Sequence, residues 1–237
     1  MRRLAILLLL IGGLLYADWI VEFFLPIALS PATSFVSELS ALDEPYHAVF
    51  RTLDVAGGLI VMASAVCAFV ATPKSRALVA GWSALALFGL SNVLDAMTPL
   101  SCTITVREAC TDQIPQDPWG WVGDPHVYAS SGEEVFFAVA FFAVALAMRG
   151  SGASRFDRHF ALSLGALTVL ASVLSGLLDV ELTFLGHNDL LGLVQRAEVL
   201  LIACWIALVP GRLVMLAVPR PASTLVLSRG FRKTHQP

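Results

Sequence analysis

Charge is the commodity this chain is short of. Only 14% of its residues are Asp, Glu, Lys or Arg, against 57% hydrophobic, and its mean hydropathy is +0.77. Soluble domains carry about a quarter charged residues, so the shortage excludes one. Segments of alternating polarity about ten residues long, the mark of a membrane barrel, are also missing. There is no HExxH or HxxxH pair, no CxxC, no low-complexity tract and no internal repeat. Metal motifs readable from spacing, and repeat architectures, are therefore excluded.

What remains is a set of long apolar runs. Stretches of about 20 residues, enough to cross a hydrocarbon core of roughly 30 Å, fall at residues 4–29, 48–71, 77–98, 128–148, 159–180 and 191–217. The reading is an all-α polytopic membrane protein, a six-helix bundle occupying residues 1–218, with a basic and disordered tail over 219–237 that anionic lipid attracts. Met1 to Ala17 starts like a secretory signal. The apolar stretch nevertheless runs on through Trp19 to Ile27, and Leu15 suits a cleavage site poorly, so the span is expected to stay.

Orientation follows from the basic residues, which are retained on the cytoplasmic side of short loops. With both termini inside, only Arg51, Arg107 and Arg196 of the 15 Lys and Arg residues fall outside. The inner loops, 72–76 and 149–158, are short basic connectors. The outer loop 30–47 carries Ser37, Glu38, Asp43, Glu44 and His47 without a Lys or Arg, and its prolines argue against one continuous helix. The other outer loop, 99–125, holds Cys102 and Cys110, which an oxidising compartment would pair into a disulfide that fixes the loop as a lid. Cys67 and Cys204 read as buried small hydrophobes. Trp119, Trp121 and Tyr128 read as interfacial anchors at the start of the fourth helix.

Every Asp and Glu inside a span falls in the outer half, and Arg51 and Arg196 lie there with them. Asp18, Glu22, Arg51, Asp54, Asp95, Glu133, Glu134, Asp179, Arg196 and Glu198 are each costly in hydrocarbon and mark function by default. Helical spacing puts Asp18 and Glu22 on one face, and His47, Arg51 and Asp54 on another. A network of ion pairs knitting the bundle is the plainer account, with Arg51 reaching Asp54 and Arg196 reaching a neighbouring carboxylate. Eight carboxylates against two arginines leave some acids to be solvated, hydrogen-bonded or bound to a cation. The reading preferred is a hydrated pocket lined by Asp18, Glu22, Arg51, Asp54, Asp95, His126, Glu133, Arg196 and Glu198. Arg51 and Arg196 would hold an anionic ligand group or position the acids.

Other chemistries have weaker footing. His47, His126 and His187 lie at the outer face on three elements and could hold zinc and an activated water, but only by tertiary assembly. Ser130 with His126 and Asp124 is a conceivable nucleophile set, and Glu133 with Asp95 an acid–base pair. A through-membrane transporter is disfavoured because the inner halves are apolar. Gly57, Gly58, Ser172 and Gly176 suit close helix packing.

The run FVSELS over residues 35–40, DAMTPLSC over residues 95–102, the later Cys110 and His126, and Gln195, Arg196 and Trp205 resemble the bacterial membrane family catalogued as domain of unknown function 998, over residues 10–215. The resemblance implies a bacterial plasma-membrane protein of no established activity. The chain is more distantly similar to alkaline-ceramidase-like membrane hydrolases, which use His, Asp and Ser at one membrane face. It departs from them in having six helices rather than seven and in lacking the late paired histidines. The bilayer is the expected partner, with a small polar ligand or lipid headgroup in the pocket. Nucleic acid is not expected, and the alternatives are a metal-dependent lipid hydrolase or a structural partner of another membrane protein.

Overall fold

The structure is a computed structural model and describes residues 1–106, 110, 124–185 and 189–217, with side chains excluded over 181–185. The tail after residue 217, Arg107, Trp119, Trp121 and His187 lie outside the described residues. Among the described residues there are six α-helices: α1 Arg2–Tyr16, α2 His47–Ala71, α3 Arg76–Met97, α4 Pro125–Gly150, α5 Arg155–Leu185 and α6 Leu191–Leu216. Helices α2 to α6 are each long and apolar enough to span a membrane, and the first span makes a sixth if its bent pieces are counted together.

That bend corrects the expectation of a continuous first helix. α1 stops at Tyr16, and after Ala17 the chain turns by 48° into a 3-10 helix over Asp18–Phe24. Residues four apart lie about 40° apart around an α-helix, but about 120° apart around a helix of three residues per turn. Asp18 and Glu22 are both buried, Asp18 in the wall of a cavity and Glu22 against Arg196.

Local chemistry sets the other ends. The Ser75 hydroxyl accepts from Leu78 N at the start of α3, and Asp124 accepts from His126 N with Pro125 in the first turn of α4. These side chains satisfy amide groups that the first helical turn leaves without partners. Ser154 and Asp157 form a reciprocal cap on α5, the Ser154 amide donating to Asp157 and the Asp157 amide to the Ser154 hydroxyl.

Each helix packs on its neighbours in sequence, and α6 closes the ring against α1. α5 leans mainly on α6 and only lightly on α4. α2 crosses α3 closely. A Cβ placed on Gly58 would lie 2.5 Å from Gly89 O, and one on Gly89 would lie 2.6 Å from Gly58 O. Only the missing side chains let these backbones touch, as small residues do between membrane helices. Gly57 packs less closely, its Cβ position 3.3 Å from Leu15 Cβ of α1, whereas Gly176 faces open space and has no packing role.

Trp82, Phe88, Phe137 and Trp205 fill the centre of the ring. Phe137 and Trp205 meet edge to face at 5.2 Å between centroids, and Tyr16 and Phe88 are tilted at 5.1 Å, arrangements favoured by the ring quadrupole. At the termini end, Arg2 donates to Ala71 O at the end of α2 and to Ala217 O after α6. A cation there meets the negative ends of two helix dipoles.

Candidate functional site

The end of the bundle away from the termini holds a cavity of about 350 Å³ to which all six helices contribute. Tyr16 enters from α1 and Asp18 from the 3-10 turn after it. Phe50 and Asp54 come from α2, and Asn92 and Asp95 from α3. His126, Ser130, Glu133 and Glu134 come from α4, Asp179 from α5, and Gln195 and Glu198 from α6. Spacings of three and four place each set on one helix face. Phe35, Val36, Leu39, Leu100 and Ile104 cover the mouth.

The cover is built around one carboxylate. Glu38, in the 3-10 helix Val36–Ser40, is fully buried and accepts from Phe35 N at 3.0 Å, from Thr105 N at 2.7 Å and from the Thr105 hydroxyl. Burial pushes this carboxyl above its ordinary 4.5, and the bonds from Thr105 and Phe35 oppose the rise. Asp43 similarly accepts from Thr103 N and the Thr103 hydroxyl. Cys102 and Cys110 are joined in a disulfide, as expected. Cys110 packs with Phe35, Ile104 and Leu191, which fixes the second loop onto the first and onto α6.

Within the cavity the polar atoms are paired unevenly. The Tyr16 hydroxyl donates to Glu133 Oε2 at 2.7 Å, and the Ser172 hydroxyl donates to Glu134 Oε2 at 2.6 Å. Ser172 was expected to serve close packing and instead holds an acid. His126 Nδ1 lies 3.0 Å from Asp95 Oδ1, in ion-pair range, yet the alignment leaves both atoms short of a hydrogen bond. Asp18 is only 8% exposed, and its Oδ2 is buried with no hydrogen-bond partner. Asn92 Oδ1 is in the same condition.

Six of the nine residues expected to line a pocket do meet here: Asp18, Asp54, Asp95, His126, Glu133 and Glu198. Glu22, Arg51 and Arg196 do not. Arg196 forms a buried bidentate pair with Glu22 and donates through Nη1 to Pro31 O, Ser34 O and Gly192 O. It is committed to binding the 30–40 loop to α6. Arg51 donates to Ala96 O near the end of α3, so the expected pair with Asp54 is not formed. Both guanidinium groups are drawn to carbonyls that helix ends and loops leave without partners, which sequence spacing does not reveal.

The consequence is electrostatic. Asp18, Asp54, Asp95, Glu133, Glu134, Asp179 and Glu198 line the wall, while His126 is its only basic side chain among the described residues. Glu134, Asp179 and Asn92 stood outside the expected lining, and Tyr16 was missed altogether. A phenol two residues before Asp18 in a leucine-rich span was the available signal.

Metal-ligating atoms of three residues come within 4.8 Å, among the described residues, only at Asp43, Cys102 and Cys110. There the sulfurs are spent in the disulfide. Neither His47 nor His126 belongs to such a cluster, and His187 lies outside the described residues.

Spans, closed ring and enclosed polar end together define a polytopic helical membrane protein with an acidic cavity at one end of its bundle. The chain belongs to the family described as protein of unknown function (DUF998), whose model matches residues 9–210. That match runs from α1 into α6 and takes in every cavity-lining residue. No curated protein and no solved structure matches the chain.

Proposed function

We propose that the protein is a membrane-embedded binding module whose acidic cavity takes a cationic, hydrogen-bonding small molecule or an amine-bearing lipid headgroup. The observation that carries this reading is the wall itself, with seven carboxyl groups, no Lys or Arg among the described residues and a buried Asp18 oxygen without a partner. So many acids cannot all be charged in a poorly hydrated site without a compensating cation. An amine supplies that charge and donates hydrogen bonds to several acids at once. The bias of Lys and Arg toward the termini end supports a cavity opening outward in a bacterial plasma membrane.

The test is mass spectrometry of the small molecules and lipids retained by the purified protein. The expected result is an amine-bearing species held by the wild type and lost in both Asp18→Asn and Glu133→Gln. A retained species that survives both substitutions, or an anionic species that depends on them, overturns the reading.

A second reading, a membrane hydrolase acting on a lipid headgroup, draws on the contact of His126 with Asp95, an acid–base couple on the cavity wall. Stoichiometric zinc that is lost on His126→Ala would favour it. If Asp95→Asn lowered stability alone and left ligand retention intact, the site would serve assembly rather than binding.

A further inference from the structure

The opposite end of the molecule has the reverse chemistry. Where α4 and α5 pack lightly, a second cavity of about 500 Å³ opens, lined by Met148 and Arg149 of α4 and by Arg155, Arg158, His159 and Leu162 of α5. The α5 residues follow offsets of three, four and seven and so share one helix face. Asp157, the acid inside this basic stretch, is already engaged by Arg212, with Nε at 2.9 Å from Oδ1. No described carboxylate pairs with Arg149, Arg155 or Arg158. Three guanidinium groups with no described carboxylate partner thus line the cavity, and Ala145 and Leu162, a turn or more farther along α4 and α5, make its other end apolar.

We propose that this cavity binds an anionic phospholipid, with the phosphate among Arg149, Arg155 and Arg158 and an acyl chain against Met148 and Leu162. Guanidinium groups suit phosphate because their planar fork matches its oxygens in bidentate pairs. The apolar end distinguishes a lipid from a soluble anion. The cleft also faces the surroundings where the bilayer lies, since Leu146, Phe160 and Leu162 beside it are exposed. Such basic pockets between membrane helices are fitted to acidic headgroups.

The experiment is native mass spectrometry of the detergent-purified full chain incubated with phosphatidylglycerol or with phosphatidylcholine. Phosphatidylglycerol should be retained preferentially. Retention should fall about fivefold per arginine, on the order of a hundredfold in Arg149→Gln/Arg155→Gln/Arg158→Gln. Leu162→Trp, which fills the apolar end and leaves the charge intact, should also lower retention. Arg76→Gln, a basic residue outside the cavity, should leave it unchanged.

If the triple variant fails to fold, Arg155→Gln alone carries the test, because that side chain is exposed. Undiminished retention in the arginine variants, or an equal loss in Arg76→Gln, overturns the proposal. So does calorimetric binding of inorganic phosphate to the three arginines together with lipid retention unaffected by Leu162→Trp, which would identify a soluble anion as the ligand.

Discussion

Arg196 and Glu22 face each other through two parallel hydrogen bonds of 2.7 Å, Nε to Oε1 and Nη2 to Oε2, with each side chain 3% exposed. They are 174 residues apart in sequence, so this pair fastens the turn after α1 to α6. Breaking a buried pair strands the remaining charge. Arg196→Gln and Glu22→Gln are each expected to cost about 3–5 kcal/mol, read by chemical denaturation in micelles. Because neither residue lines the acidic cavity, ligand retention per folded molecule should be unchanged in both variants.

The bond from Tyr16 to Glu133 lies inside that cavity and supports one of its acids. Tyr16→Phe removes the donor while keeping the ring against Phe88. The expected loss is about 1–3 kcal/mol. In a double-mutant cycle with Glu133→Gln the two effects should be non-additive, and additivity would show that the hydroxyl and the carboxylate act independently.

At the α2–α3 crossing, Gly58→Ala and Gly89→Ala should each destabilise by about 1–3 kcal/mol, since the added methyl meets a backbone oxygen that cannot rotate away. Gly176→Ala faces open space and serves as the control. A thermal melt of all three separates close packing from a general aversion to larger residues.

The disulfide closes a loop of sequence separation 8. Loop-closure entropy for that length is worth about 2–3 kcal/mol. Cys102→Ser/Cys110→Ser should therefore unfold at lower denaturant, and dithiothreitol should shift the wild type but not the variant.

Glu38 predicts a pH dependence. Its folded pKa is raised above 4.5, so through the window between its unfolded and folded values the native state holds more protons than the unfolded chain. Its contribution is fully present below about 4.5 and is lost as pH rises toward the folded pKa. Glu38→Gln should be less stable at low pH, because the Thr105 and Phe35 donors lose an acceptor, but should show a flatter profile. Melting temperatures taken at intervals from about pH 4 to pH 8 would reveal a parallel decline in both proteins if Glu38 were not responsible.

The apolar runs placed helices α2 to α6 within a few residues of their observed ends, because the length of a hydrocarbon crossing is a one-dimensional constraint. The first span was the exception. Hydropathy cannot distinguish an α-helix from an α-helix that breaks into a tighter one, and here the tighter turn carries Glu22 to its distant partner Arg196. Charge placement likewise predicted that the acids would gather at one end. It could not assign the arginines, since a guanidinium chooses between a carboxylate one turn away and a carbonyl on another helix only when the helices are packed.

Composition and periodicity alone therefore determined a six-span helical chain, polar at one end and basic at the other, with a cysteine pair in the loop that covers the polar end. Tertiary structure alone decided that Arg51 and Arg196 are consumed in holding the fold, which turns a mixed ionic set into an acidic cavity. It also decided that the connector from α4 to α5 borders a cleft whose arginines have no carboxylate partner among the described residues. The physical reason is the same in both cases: covalent sequence fixes which charges lie at which depth, whereas their pairing depends on distances across a ring of helices that only packing sets.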